Sequence, residues 1–329
     1  MFVENGFERQ VGNDAATPPY RKRLTRRTNK FEFAYRAGKT SDPARRFEVD
    51  DYNVPMNRWI AALPMYNATP QHGRLWCSLL ADTLAAFARA GGPKHVDVLA
   101  VAPEPLPAFW RRNDLLLSQT CGFPYRLLGL RDAVHLVATP IFDVQGCDGP
   151  RYRSVLVVSA SAWARGATEL AACSGLRAAC NSDDSHSGMN ALRHAAAPHA
   201  REGRFFSSVL FTGSHSESLK ALCDARADVA AIDCITFALL RDGCPDLVRG
   251  VRAIGTTAAA SAPPFIASDA LDKTRLHALR DALDQAVAID PRRAHSLRLR
   301  GFARLAPDDY ADIEKMANEA SAHGYPVLR

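Results

Sequence analysis

Short apolar runs alternating with helix-length amphipathic pieces restrict this chain's fold more than any other feature. WIAALPMY (59–66) precedes RLWCSLLADTLAAFARA (74–90), in which Trp76, Leu80, Leu84 and Phe87 share one helical face before Gly-Gly-Pro ends the pattern. VDVLAV, DLLLSQT, VHLVATPIF and YRSVLVVSAS follow as strand-like runs, then LRAAC, SSVLFTG, DVAAID and VRAIG, each set off by a turn or helix-length piece. The long helical pattern TRLHALRDALDQAVAI stops at Asp290-Pro291. Such alternation predicts an α/β protein with largely parallel sheets.

The number of strand runs fits two smaller sheets better than one large one. YRSVLVVSAS is expected to cross between two lobes, and VRAIGTTAAASAPPF, rich in small residues and proline, to return. The expected partition is residues 56–157 with 253–329 as a discontinuous first lobe, and 158–252 as a second lobe within it. Residues 1–55 are polar and show no sustained period, which reads as a disordered extension or as sequence upstream of a true start at Met56.

With 47% apolar residues the chain can build sizeable cores, and no run reaches the roughly 18 apolar residues of a membrane helix. Direct membrane insertion is therefore not expected. The net charge of +6 is modest, and much of the excess lies in Arg21, Lys22, Arg23, Arg26, Arg27 and Lys30. No nucleic-acid partner is implied for the body. The eight cysteines form no CxxC pair, His194 and His199 do not share a helical face, and neither pattern suggests a metal. Neither GxxxxGK[ST] nor a GxGxxG following a strand is present, so no cofactor is implied.

In open α/β sheets, ligands lie off the carboxyl ends of strands, where loops enter helix N-termini. Related polar junctions occupy such places: SQTCG after DLLL, NSDDSHSGMNALR after LRAAC, TGSHSESLKAL after SVLF, and Asp233 after DVAAI. In the middle two, Ser-His-Ser directly precedes a helix. Hydroxyls, imidazoles and free amides at the positive end of a helix dipole suit a tetrahedral oxyanion. The same residues have plainer roles. Ser214 with Glu217 forms a capping box, Ser185 and Ser187 are good caps, and Asp233 can cap the next helix. A hydrolase using Cys121 or Ser214 with a histidine is an open alternative, although GxSxG is absent.

In order, LPMY, LLLSQTCGFPYRL, YRSVLVV, NSDDSHSGMNALR, FTGSHSESLKAL and ADVAAIDCITFALL resemble the phosphate- and phosphonate-binding proteins of ABC importers, over roughly residues 58–290. The resemblance implies a type II periplasmic-binding-protein fold: two α/β lobes, two crossing hinge strands, and closure on a small anionic ligand between them. It assigns the oxyanion to Ser185 and Ser187 with the amides of His186 and Gly188. The cleft histidine maps to His215 beside Ser214, and the acidic group facing the ligand's amine or acidic proton to Asp233. Tyr66 and the loop residues Ser118, Gln119 and Thr120 come from the first lobe. A monomer serving an ABC permease is implied, with no catalysis. The residues leave open a pyrimidine-like or carboxylate ligand in the same fold. As written, the chain shows no signal peptide and reads as cytoplasmic, whereas the resemblance implies the periplasm.

Overall fold

The computed structural model describes residues 58–329. The expectations for residues 1–55 and for Met56 lie outside the described residues. The apolar runs form strands β1 (Trp59–Ala62), β2 (Val96–Val98), β3 (Leu115–Gln119), β4 (Val134–Phe142), β5 (Arg151–Tyr152), β6 (Ser154–Ser159) and β7 (Arg177–Cys180). They continue as β8 (Ser208–Phe211), β9 (Val229–Asp233), β10 (Val251–Thr256), β11 (Ala260–Ser261), β12 (Phe265–Ser268) and β13 (Leu299–Ala303). One sheet runs β13-β4-β12-β3-β1-β2, a second runs β10-β6-β9-β7-β8, and β5 pairs with β11 as a short ribbon.

The sheets are mixed, which corrects the expectation of largely parallel ones. β1 runs parallel to β2 and β3, and β7 parallel to β8 and β9. By contrast β12 is antiparallel to β3 and β4, β13 to β4, and β6 to both β9 and β10. Two of the reversed strands, β6 and β12, mark where the chain changes sheets. It leaves the first sheet after β4, enters the second as β6, leaves by β10 and re-enters as β12, so β12 and β6 each join their sheet in reverse. The β5–β11 ribbon, with Tyr152 opposite Ala260 and Arg151 opposite Ser261, ties the two crossings together.

The central strands β3, β9 and β12 are buried along their whole length, as continuous apolar runs covered by helices on both faces should be, whereas the edge strands β2, β8, β10 and β13 are partly exposed. Beside the first sheet, the Pro70–Arg89 helix packs Trp76, Leu79 and Phe87 into a core with Leu279 and Leu283 of the Lys273–Ile289 helix. Full burial of side chains of this size stabilises by about 1.5–3 kcal/mol each. That core continues to Cys234, Ile235 and Leu239 on the Cys234–Gly243 helix, which follows β9 of the second sheet. The Ala311–Ala322 helix also serves both bodies: Ile313 and Met316 pack with the first, and Ala320, with Tyr325 and Leu328 after it, with the second. None of the described helices is long and apolar enough to cross a membrane.

Candidate functional site

β7, β8 and β9 lie side by side in the second sheet, and each leads at its carboxyl end into a helical turn. After β7 the chain passes through Asn181 to Ser185, whose hydroxyl accepts the Gly188 N–H at 3.0 Å and so caps the turn His186–Asn190. That turn is wide: the Asn190 N–H reaches back to the Ser185 carbonyl at 3.0 Å, the π-type spacing that often marks functional sites. A Cβ on Gly188 would stand 1.9 Å from Asn181 Oδ1 and 3.2 Å from His215 Cε1. Only glycine lets these segments come together.

After β8, Ser214 caps the His215–Cys223 helix by accepting the Glu217 N–H at 3.1 Å. The first amides of a helix have no carbonyl one turn behind them, so those of His215 and Ser216 remain as donors at this end. His215 itself is turned inward. Its Nε2 lies 2.9 Å from Ser187 Oγ and 3.5 Å from Asp233 Oδ2, while Nδ1 is buried without a partner. Burial pushes its pKa down and the nearby Asp233 carboxylate only partly opposes this, so the imidazole is neutral at neutral pH. Asp233 caps the Cys234–Gly243 helix, accepting from Thr236 N–H at 2.8 Å and Thr236 Oγ1 at 2.5 Å.

These turns line a cavity of about 280 Å³. Of the residues expected from sequence, Tyr66, Ser185, Ser187, Ser214, His215 and Asp233 line it. Gly188 stands behind that wall, against His215. Ser118, Gln119 and Thr120 do not line it; all three are fully buried. Gln119 Nε2 donates to the Pro263 carbonyl at 3.0 Å and the Thr120 N–H to that of Pro264 at 3.0 Å, tying β3 to the returning crossing. His186 is held away from the cavity as well. Its N–H meets Cys121 Sγ at 3.3 Å, its Nδ1 lies 3.2 Å from Asn190 Nδ2, and burial pulls its pKa down to about 3.

The lining also includes Tyr152, Trp110, Asn181, Asp184 and Thr236, which the sequence did not single out. Asn181 and Asp184 sit within the quoted NSDDSHSG string and were legible there. Tyr152 reads as the first residue of a crossing strand, and Trp110 stands in a short apolar turn with no polar signature. Burial pushes both the Tyr66 and Tyr152 phenols well up, with Asp233 adding to each, so they stay protonated and act as donors. Tyr66 also holds a positive φ of 63°, a strained conformation for a bulky residue and one that concentrates at functional sites.

Buried polar side chains almost always find partners, and an exception calls for an explanation. Four of the nine such atoms among the described residues fall here: Tyr66 Oη, Trp110 Nε1, Asn181 Oδ1 and His215 Nδ1 are all buried, unpartnered, and on residues that line this cavity. The lining contains no Lys or Arg, so its polarity comes from neutral donors and acceptors beside the carboxylates of Asp184 and Asp233.

Ser187, His215 and Asp233 are the residue types of a hydrolase triad, but their arrangement differs. In a triad the acid holds one imidazole nitrogen and the nucleophile the other. Here both Ser187 and Asp233 face Nε2. Ser214 is occupied as a cap, and the Cys121 thiol is pushed up by burial, against the smaller opposing effect of the His186 N–H.

Two α/β lobes joined by crossing strands, with a polar cleft where strand ends meet helix starts, define a two-lobed binding protein of the type II periplasmic fold. The family model described as the phosphonate periplasmic substrate-binding protein of ABC transporters matches residues 108–312, more than half the chain, and the chain belongs to that family. PhnD1 from Prochlorococcus marinus, solved with methylphosphonate, has a TM-score of 0.63 at 14% identity, covering 81% of this chain and 99% of that one. A binding-protein component of an ABC phosphonate transporter from Pseudomonas aeruginosa has a TM-score of 0.63 at 14% identity, covering 81% and 87%. A Xanthomonas citri protein bound to ATP has a TM-score of 0.60 at 16% identity, covering 82% and 98%. At these identities the likeness is one of fold. No curated protein matches the sequence. Members of this family are substrate-binding components of importers: they bind small ligands and work with permeases, and the family is periplasmic.

Proposed function

We propose that the protein captures a small phosphorus oxyanion (phosphate, phosphite or a phosphonate) in this cavity and encloses it by rotation of the lobes about the β5–β11 ribbon. The observation that carries the reading is the gathering of unpartnered buried polar atoms on Tyr66, Trp110, Asn181 and His215 around one small cavity. Tyr66 and Trp110 donate to ligand oxygens, as do the amides of His215 and Ser216. Ser185 and Ser187 add hydroxyls. With the Nε2 proton of His215 directed to Ser187 and Asp233, Nδ1 is left as an acceptor.

A site with an accepting nitrogen, two carboxylates and no cationic side chain favours a ligand that brings a proton or an ammonium group of its own. Affinity for methylphosphonate then falls as pH rises through that ligand's second ionisation. We assign the lobes to the bodies on either side of the ribbon, and infer delivery by a monomer to an ABC permease at the periplasmic face of a membrane.

Isothermal titration against phosphate, phosphite, methylphosphonate and 2-aminoethylphosphonate tests the reading. Binding of at least one at micromolar concentration is expected, and the absence of binding by all four at millimolar concentration overturns it.

A further inference from the structure

Of the eight cysteines, two are brought together far from their positions in the sequence. Cys147 Sγ lies 3.5 Å from Cys234 Sγ across 87 residues of chain, and no other pair of cysteine sulfurs among the described residues makes such a contact. The backbone beside Cys147 is pressed onto Cys234: a Cβ on Gly146 would stand 3.2 Å from Cys234 Cβ and 3.4 Å from its Sγ. Gly146 also has a φ of +101°, a backbone conformation that favours glycine. Cys147 belongs to the stretch that leaves the first sheet between β4 and β5, while Cys234 opens the helix that follows Asp233. The contact therefore joins a crossing segment to the element that carries the site's carboxylate.

We propose that Cys147 and Cys234 are a disulfide-forming pair whose oxidation fixes the outgoing crossing to the start of the Cys234–Gly243 helix. The chemistry needs a disulfide oxidant such as oxidised glutathione. One of the pair is reachable by it. Cys147 is half-buried and lines a surface cavity of about 460 Å³ together with Asp148, Arg151 and Arg153, whereas Cys234 is only 2% exposed. The Cys147 thiolate attacks one sulfur of the oxidant and displaces one glutathione thiolate. The Cys234 thiolate then attacks the Cys147 sulfur of the mixed disulfide and displaces the second. Two protein thiols lose two electrons and two protons, and one glutathione disulfide becomes two glutathione thiols. The neighbouring Cys234 and burial both push the Cys147 thiol up, so the reaction accelerates with rising pH. An oxidising compartment, such as the periplasm in which this family works, is where such a bond persists.

A cross-link closing so long a loop restricts the unfolded chain strongly and raises Tm by on the order of 5–10 °C. The test treats the full chain with oxidised glutathione at pH 8.5, denatures it without reductant, alkylates the free thiols and measures intact mass and linked tryptic peptides. The expected result is a species with two fewer alkylatable thiols and a peptide joining Cys147 to Cys234. It melts higher than the reduced protein and returns to the lower Tm with dithiothreitol. Cys147→Ala, matched to wild type in its reduced Tm, is expected to lose both the linked peptide and the oxidative shift. Alkylation of all eight thiols after oxidation, or linkage between any other two cysteines, overturns the proposal. So does an oxidative Tm shift that persists in Cys147→Ala.

Discussion

His215 sits where the hydroxyl, the carboxylate and the cavity meet, its side chain about 10% exposed and held by polar contacts. His215→Ala is expected to weaken methylphosphonate binding about 10- to 100-fold by titration calorimetry while changing stability by about 1 kcal/mol or less. A large loss of stability with unchanged affinity would show the imidazole to be a structural strut. His186, the histidine of the other Ser-His-Ser junction, lies outside the cavity lining and behaves differently. Its pKa is lowered from 6.5 to about 3 by burial, so the unfolded chain takes up a proton that the folded protein refuses. Folding stability is therefore full above about pH 6.5 and is lost as pH falls from there towards pH 3, at up to about 1.4 kcal/mol per pH unit for this one group. Denaturant unfolding of His186→Gln between pH 7 and pH 4 should show a shallower fall than wild type; equal slopes would show that the folded protein admits the proton after all.

At the scale of elements, helix capping and ligand recognition use the same atoms. Asp233 caps the Cys234–Gly243 helix through Thr236 and also faces His215, and the two roles can be separated. Asparagine is as good a cap as aspartate, so Asp233→Asn should keep stability within about 0.5 kcal/mol while changing the pH dependence of ligand binding. Asp233→Ala should lower stability by about 1–2 kcal/mol as well. Equal binding curves for wild type and Asp233→Asn would remove the carboxylate from the site. Gly188→Ala belongs to this scale too, because its Cβ would meet Asn181 Oδ1 at 1.9 Å and the two turns would have to part. A loss of about 1–3 kcal/mol in denaturant unfolding is expected, together with weakened binding. An unchanged Tm would mean that Asn181 turns aside freely.

For the molecule as a whole, binding between lobes ties ligand occupancy to stability and shape. Methylphosphonate at a hundred times its Kd should add about 2.7 kcal/mol, a rise in Tm of about 5–10 °C. The radius of gyration from small-angle scattering should fall on addition of the same ligand if the lobes rotate about the ribbon. A Tm shift without any change in radius would indicate a cleft already closed before ligand arrives. Any such rotation has to involve the Cys234–Gly243 helix, since its Ile235 and Leu239 belong to a core shared with the first sheet.

The alternation of strands and helices, the caps Ser185, Ser214 and Asp233, and the junctions that carry Ser187 and His215 were legible in the order of amino acids alone. Those are local matters, written in apolar period and in the hydrogen-bonding habits of short polar side chains. The tertiary structure decided which strands reverse direction, because pairing between β12 and β3, or β6 and β9, depends on where the chain crosses and not on its pattern. It also kept Ser118, Gln119 and Thr120 out of the cavity lining, with Gln119 Nε2 donating to the Pro263 carbonyl and the Thr120 N–H to that of Pro264, more than a hundred residues away, and brought Tyr152 and Trp110 in. Cys147 and Cys234 make the same point: an 87-residue separation hides a contact that only the packing of a crossing segment against a helix start could create.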